Sequence, residues 1–228
     1  MIDHAHDLAC VRDATELLLT AVAKLDNASL AEPSRLPGWT RGHVLAHLAR
    51  NADALVNVLE GRPMYASAEA RDADIERDAP RPLDAQLADL RESTARFQSA
   101  GDAPADWTRT VELRNGVTDS ASRVPFRRWA EVELHHVDLG IGYELEDVPA
   151  EFAEREIDFL ADRFAGHKEV PSTGLTAGDG RTWTTGGGAA GGPVAVEGTA
   201  ADLLGWLAGR RDGSRLTANG ALPKLPPL

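Results

Sequence analysis

The sequence predicts an α+β protein, a helix bundle over residues 1–168 followed by a small α/β domain over residues 169–228. Three observations carry this expectation. Apolar residues recur with a helical period from about residue 6 to 166. After about residue 170 the composition shifts to short β-prone runs punctuated by glycine. Hydrophobic residues make up 43% of the 228 positions and charged residues 26%, a balance that excludes a disordered chain.

Taken in chain order, Val11, Ala14, Leu18, Val22 and Leu25 form the first apolar stripe, and Val44, Leu48, Leu55 and Leu59 the second. A third runs through Leu83, Leu87, Leu90, Thr94 and Phe97, and a fourth through Phe126, Ala130, Leu134, Val137 and Ile141. Four one-sided helices bury their stripes against one another, which is a bundle. Between the third and fourth, Asn115-Gly116 within RTVELRNGVTDS signals a type I′ hairpin. Ile157, Leu160, Ala161 and Phe164 give a shorter fifth helix, opened near Pro149 and stopped at Gly166. Beyond it, GLTAGDGRTWTT reads as two short strands around a Gly-Asp-Gly turn, PVAVEG as another strand, and TAADLLGWLAGR as a final helix from Thr199.

Charge and cysteine content narrow the function. Lys and Arg total 24 against 36 Asp and Glu, a net charge of −12, which argues against a nucleic-acid partner. Only three of the basic residues are lysine, so any anionic ligand would meet guanidinium groups, whose forked donors suit carboxylates. No apolar run reaches membrane-spanning length, and MIDHAHDLAC lacks the basic patch and apolar run of a signal peptide, so the expected location is cytoplasmic with no membrane partner. The single cysteine, Cys10, excludes an internal disulfide and lies on the flank of the first stripe with no cationic neighbour evident, as a small packed residue would.

The chemistry-bearing pattern lies in AEVELHHVDLG, where Glu131, His135 and Asp138 recur at i, i+4 and i+7 on one side of the fourth helix. Glu133 and His136 point elsewhere. In GHVLAHLARN, His47 sits at the edge of the apolar stripe and His43 turns further toward solvent, so His47 is the better inward donor. His47, Glu131 and His135 would offer a cation two imidazoles and a carboxylate while leaving coordination positions open. The competing reading is that they are satisfied border residues. His4, His6 and His167 sit at fraying or loop positions, and Trp39 and Trp206 read as packing anchors. Gly186, Gly188 and Gly191 have G-x-G-x-x-G spacing but run into Pro193 and a β-prone segment, which is a hairpin loop rather than a dinucleotide site.

Three separated segments, LPGWTRGHVLAHLARNADA (36–54), RRWAEVELHHVDLG (127–140) and DLLGWLAGR (202–210), together resemble the mycothiol-dependent maleylpyruvate isomerases of actinobacteria, within the wider DinB-like metalloenzymes. The resemblance implies a DinB-like four-helix bundle with a small α/β C-terminal domain. It further implies a divalent metal, usually zinc, on His47, Glu131 and His135, with mycothiol as thiol cofactor. It also places a functional arginine at Arg210, with Arg211 adjacent. Asp138 matches no metal ligand and is expected to hydrogen-bond His135 or a bound water.

The implied reaction is cis–trans isomerisation of a small anionic substrate, maleylpyruvate to fumarylpyruvate, by reversible thiolate addition. Two other readings remain open at this point: a mycothiol S-transferase acting on electrophiles on the same scaffold, and a binding bundle that is not an enzyme.

Overall fold

The computed structural model describes residues 2–103, 105–187 and 193–227 and divides into two compact units, Met1–Tyr143 and Glu144–Leu228. In the first unit four long helices form the bundle: α1 (His4–Val22), α3 (Arg41–Leu59), α5 (Leu83–Asp102) and α6 (Val124–Asp138). Two shorter helices, α2 (Asn27–Leu30) and α4 (Ala68–Asp78), sit between them. Helix α1 packs on α5 and α6, and α3 packs on the same two, so the four close a ring around one core. Val11, Leu18, Val44, Leu48, Leu55, Leu90 and Phe97 are buried there as their spacing requires. Polar side chains start the helices: Asp3 accepts from the His6 N–H, Asp26 from Ser29, Thr40 from His43 and Ser67 from Ala70.

Helix α4 is the element the periodicity does not announce. Its sequence, AEARDADIERD, buries only Ile75 and Asp78, so no apolar stripe marks it. It is held instead by close approach and by polar bonds. A Cβ on Gly42 would lie 2.2 Å from the Ala79 carbonyl oxygen, so only glycine lets the end of α4 rest on the start of α3. Gln86 of α5 locks the junction, its amide donating to the Asp78 and Ala79 carbonyls at 2.9 and 3.2 Å.

The hairpin of β1 (Thr110–Glu112) and β2 (Thr118–Ser120) pairs antiparallel, with Val111 opposite Asp119. Its turn places Asn115 at φ 60° and Gly116 at φ 70°, the two left-handed positions that a type I′ turn needs.

The fourth stripe differs from expectation in two ways. Helix α6 stops at Asp138, Gly140 adopts φ 64°, and Ile141 lies beyond the helix, half exposed. The helix is also buried around most of its circumference, so Glu133 and His136 are interior as well. The Glu133 carboxylate accepts from the Trp129 indole and the Tyr143 hydroxyl, and the His136 ring stacks on Tyr143 at 4.0 Å.

In the second unit a four-stranded sheet has the order β4 (Thr182–Thr185), β3 (Thr173–Ala177), β5 (Val194–Gly198) and β6 (Thr217–Ala218). Strands β3 and β5 are parallel with Leu175 opposite Val196, and the outer pairings are antiparallel. Helices α7 (Ala150–Phe164) and α8 (Ala200–Leu207) pack together, and the Thr185 hydroxyl donates to the Ala161 carbonyl at 2.7 Å. The fifth predicted helix, α7, thus belongs with the sheet, and the units part at 143/144 rather than at 168/169. The reason is that Ile157, Leu160, Ala161 and Phe164 form an apolar face that is buried within this unit. Gly186 lies in a loop after β4, while Gly188 and Gly191 of the glycine tract fall outside the described residues.

One buried cation fastens α6 to α3. Arg128 is fully buried, and its Nη1 donates to the Leu48 carbonyl at 2.9 Å and to the Asn51 side-chain oxygen at 2.8 Å. Replacing it by methionine keeps apolar bulk but strands Asn51. Arg128→Met is expected to cost about 1–3 kcal/mol of stability, read as a lower midpoint in denaturant unfolding.

Candidate metal centre

Helix α3 and helix α6 meet at three side chains. His47 Nε2 lies 2.9 Å from Glu131 Oε2, and His135 Nε2 lies 3.2 Å from the same oxygen. The two imidazole rings stand edge to face with centroids 4.6 Å apart. One donor atom from each of the three residues falls within 4.8 Å of the others, and this is the one such cluster of potential cation donors among the described residues. The i, i+4 spacing on α6 brings Glu131 under His135, and the α3–α6 seam brings His47 to both. The side chains of His47 and His135 are 7% and 12% exposed while Glu131 is 33% exposed, so the cluster is sheltered yet reachable from one side.

Electrostatics hold the three in different states. Burial pushes His47 down to about 4, against the pull of its bond to Glu131, so the ring is neutral at pH 7. For His135 burial also favours the neutral ring, but the carboxylates of Asp138 and Glu131 outweigh it and raise the pKa. Glu131 would be raised by burial alone; hydrogen bonds from His135 and His47 hold it well below the usual carboxylate range. The cluster therefore presents an ionised carboxylate between two rings. Two imidazole nitrogens and an anionic oxygen are the donor types a divalent cation takes, binding being coupled to loss of any proton on His135 Nε2.

Asp138 is fully buried, and its Oδ2 lies 2.8 Å from His135 Nδ1. It fixes the ring by accepting a hydrogen bond from Nδ1–H, which leaves Nε2 facing the cluster. His43 takes no part. Its Nδ1 accepts the Thr40 backbone N–H at 3.2 Å, completing a capping box at the start of α3, and its Nε2 faces Glu76 at 3.4 Å.

Several neighbours of the cluster are invisible in the sequence. Arg71 on α4 places Nη2 3.3 Å from His47 Nδ1 and its guanidinium carbon 5.9 Å from the centre of the Tyr65 ring. The only available signal was the Ser67 cap ahead of a run of good helix formers. Arg128, one turn before Glu131, is pulled down to about 10 by burial and stays charged at pH 7. Trp39 is half-buried rather than a core anchor, its ring 5.5 Å from that of His47. Cys10, half-buried, has a neighbour after all: His6 Nε2 lies 3.5 Å from its sulfur, one turn back on α1. His4 stacks on Trp107 at 4.2 Å.

In the second unit Arg211 is committed to structure, donating to Asp202 at 2.6 Å and to both carboxylate oxygens of Glu146. Arg210 donates Nη1 to the Ala208 carbonyl at 2.7 Å and is half exposed.

A helix bundle carrying a sheltered pair of histidines and one glutamate, followed by a small mixed domain, defines the class. The family model for the mycothiol maleylpyruvate isomerase N-terminal domain matches residues 11–140, and that for the C-terminal domain of the same isomerase matches residues 147–227. The chain belongs to the mycothiol maleylpyruvate isomerase family. Among solved structures, it is similar to a mycothiol-dependent maleylpyruvate isomerase with 28% identity and a TM-score of 0.90, covering 99% of this chain and 97% of that one. A histidine-to-alanine mutant of a mycothiol-dependent maleylpyruvate isomerase matches with 27% identity and a TM-score of 0.89, over the same shares of the two chains. No curated protein gives a significant match. No helix among the described residues is long and apolar enough to cross a membrane.

The Asp138 carboxylate is the first contributor that raises His135. Asp138→Asn is therefore expected to lower the titration midpoint of His135, measured by NMR of its ring protons in metal-free protein, while His47 stays neutral across the same range.

Proposed function

We propose that this protein is a metal- and mycothiol-dependent isomerase that converts maleylpyruvate to fumarylpyruvate. The observation that carries the reading is the convergence of His47, Glu131 and His135 on one point that stays open on one side. The matching family and solved structure, both mycothiol-dependent maleylpyruvate isomerases, support the substrate and the thiol.

His47, Glu131 and His135 would hold the cation, and Asp138 would orient His135 toward it. Two imidazoles and a carboxylate suit zinc, which in catalytic sites takes three protein ligands and leaves a position open. A bound divalent cation supplies acidity there, favouring the thiolate over the thiol or polarising a substrate oxygen.

A cis double bond turns only when its π bond is broken. Bound mycothiol would supply a thiolate whose reversible addition to the conjugated alkene breaks that π bond and allows the turn, its expulsion restoring the alkene with no net gain or loss of electrons. Arg71, beside His47, would take a substrate carboxylate and hold the alkene for attack. Arg128 adds a second buried positive charge next to Glu131, favouring anions at the cluster. Arg210 is proposed as a further carboxylate clamp. Its neighbour Arg211, tied to Asp202 and Glu146, is the structural member of the pair.

The guanidinium groups of Arg71 and Arg128 favour the isomerase over a transferase for uncharged electrophiles, whose site would be lined by apolar groups. The three-donor set also disfavours a purely structural role, since structural zinc sites use four protein ligands.

Purified protein assayed with maleylpyruvate is expected to form fumarylpyruvate only with mycothiol, to lose activity to a chelator and to regain it with zinc. His47→Ala is expected to lose stoichiometric metal and at least about a hundredfold in rate. Equal turnover by His47→Ala would overturn the mechanism. Cys10→Ser is expected to leave the rate unchanged, because the attacking sulfur is mycothiol's.

A further inference from the structure

We infer that the groove between the α3–α4 connection and the β1–β2 hairpin is the seat of the polyhydroxylated portion of the thiol cofactor. The inference rests on the mycothiol-dependent reading above and goes beyond it by naming where the sugar end of the cofactor binds. The groove encloses about 530 Å³, a volume within the range of small-molecule sites, roughly 300–1,000 Å³. It lies wholly within the first unit.

Continuity with the metal centre comes through one side chain. Tyr65 lines the groove, and its ring is the one that the Arg71 guanidinium covers at 5.9 Å. Arg71 in turn donates to His47 at 3.3 Å. A ligand lying in the groove thus reaches the cluster past Tyr65 and Arg71, with its sugar end outward and its thiol inward.

The polar groups fit a neutral polyol better than a dicarboxylate. Arg109 is already engaged, donating to the Asp106 and Leu59 carbonyls, and Arg62 is committed to Asn57 and Glu60. Their remaining N–H groups can serve hydroxyl oxygens, but their charge is partly spent. Glu112 also lines the groove, and its carboxylate would repel an anion while accepting from hydroxyls. Arg114 is exposed at the hairpin tip beside Asn115, and its guanidinium has no hydrogen-bonded or ion-paired partner among the described residues. The half-buried Tyr65 ring offers a flat apolar face of the kind on which the C–H face of a sugar ring packs. Mycothiol joins a cysteine-derived thiol to a sugar linked to inositol and carries no fixed charge. An uncharged polyol with a thiol arm is what such a lining recognises.

The test uses full-length, zinc-loaded protein and mycothiol as the probe. Thr110→Trp fills the groove from an exposed strand position that tolerates an aromatic residue, and Arg114→Ala removes the unpaired donor. Calorimetric titration is expected to show mycothiol binding weakened about tenfold or more by each substitution. Zinc stoichiometry and thermal midpoint are expected to be unchanged, as is the KM for maleylpyruvate at saturating mycothiol. Unaltered mycothiol affinity in both variants would overturn the inference, as would a loss confined to the KM for maleylpyruvate, which would make the groove a substrate site. Failure of the wild-type protein to bind mycothiol would overturn the mycothiol-dependent reading, and this inference with it.

Discussion

The seam between α3 and α6 is the constraint on which the site depends, and a buried guanidinium holds it. Neither helix carries the donor set alone: α6 supplies Glu131 and His135, and α3 supplies His47. Arg128 is one turn below Glu131 on α6 and binds the Leu48 carbonyl, the residue next to His47 on α3. A bond to a carbonyl one residue from His47 fixes the relative height of the two helices as apolar packing alone does not. Leu and Val side chains can slide past one another at little cost, whereas a charged donor deprived of its acceptor in the interior is penalised heavily. The register that sets His47 at 2.9 Å from Glu131 is therefore specified by polar contact inside an otherwise apolar interface.

The molecule is strongly acidic overall, yet cationic groups gather beside the carboxylates at the cluster. His135 meets Glu131 and Asp138, Arg71 lies between His47 and Asp72, and Arg128 feels the charge of Glu131. Charges on the far surface are screened over about 10 Å at ordinary ionic strength and matter little here. Inside the seam the effective dielectric is low, and the nearby groups dominate. Net charge thus argues against a phosphate-backbone partner without predicting the potential at the site.

Legibility followed the way each element is held. The four bundle helices were readable because their apolar faces repeat, and the Asn115-Gly116 turn because its backbone demands left-handed residues. His47, Glu131, His135 and Asp138 could be gathered from spacing and stripe position because they sit on long, regular helices. Helix α4 was not readable: it is held by Gly42, Gln86 and Ile75, which leave no period in the sequence. Arg71 was lost with it, since its proximity to His47 is a tertiary fact. Glu133 and His136 were assigned outward because a single stripe was assumed for α6, whereas Trp129, Tyr143 and the polar pairings bury its opposite side too. The boundary at 143/144 was missed because the stripe of α7 shows that it packs without showing on what.

The two histidines of the cluster differ in a way that bears on the proposed chemistry. Asp138 accepts a hydrogen bond from Nδ1–H of His135, so that ring turns Nε2 inward in whichever charge state it adopts. For His47 the Nδ1 neighbour is Arg71, which can only donate. A neutral His47 bonded to Arg71 must carry its proton on Nε2, directed at Glu131. For Nε2 to serve as a ligand the proton would have to move to Nδ1, and Arg71 Nη2 would then face an N–H, while its Nη1 stays on Asp72 at 2.7 Å. In the proposed function, occupation of the centre and release of Arg71 Nη2 from His47 would thus be linked by the valence of one imidazole ring. The released N–H lies beside the cluster, where a substrate carboxylate would meet it. His135 would be a ligand set in advance, and His47 the one whose engagement makes that donor available.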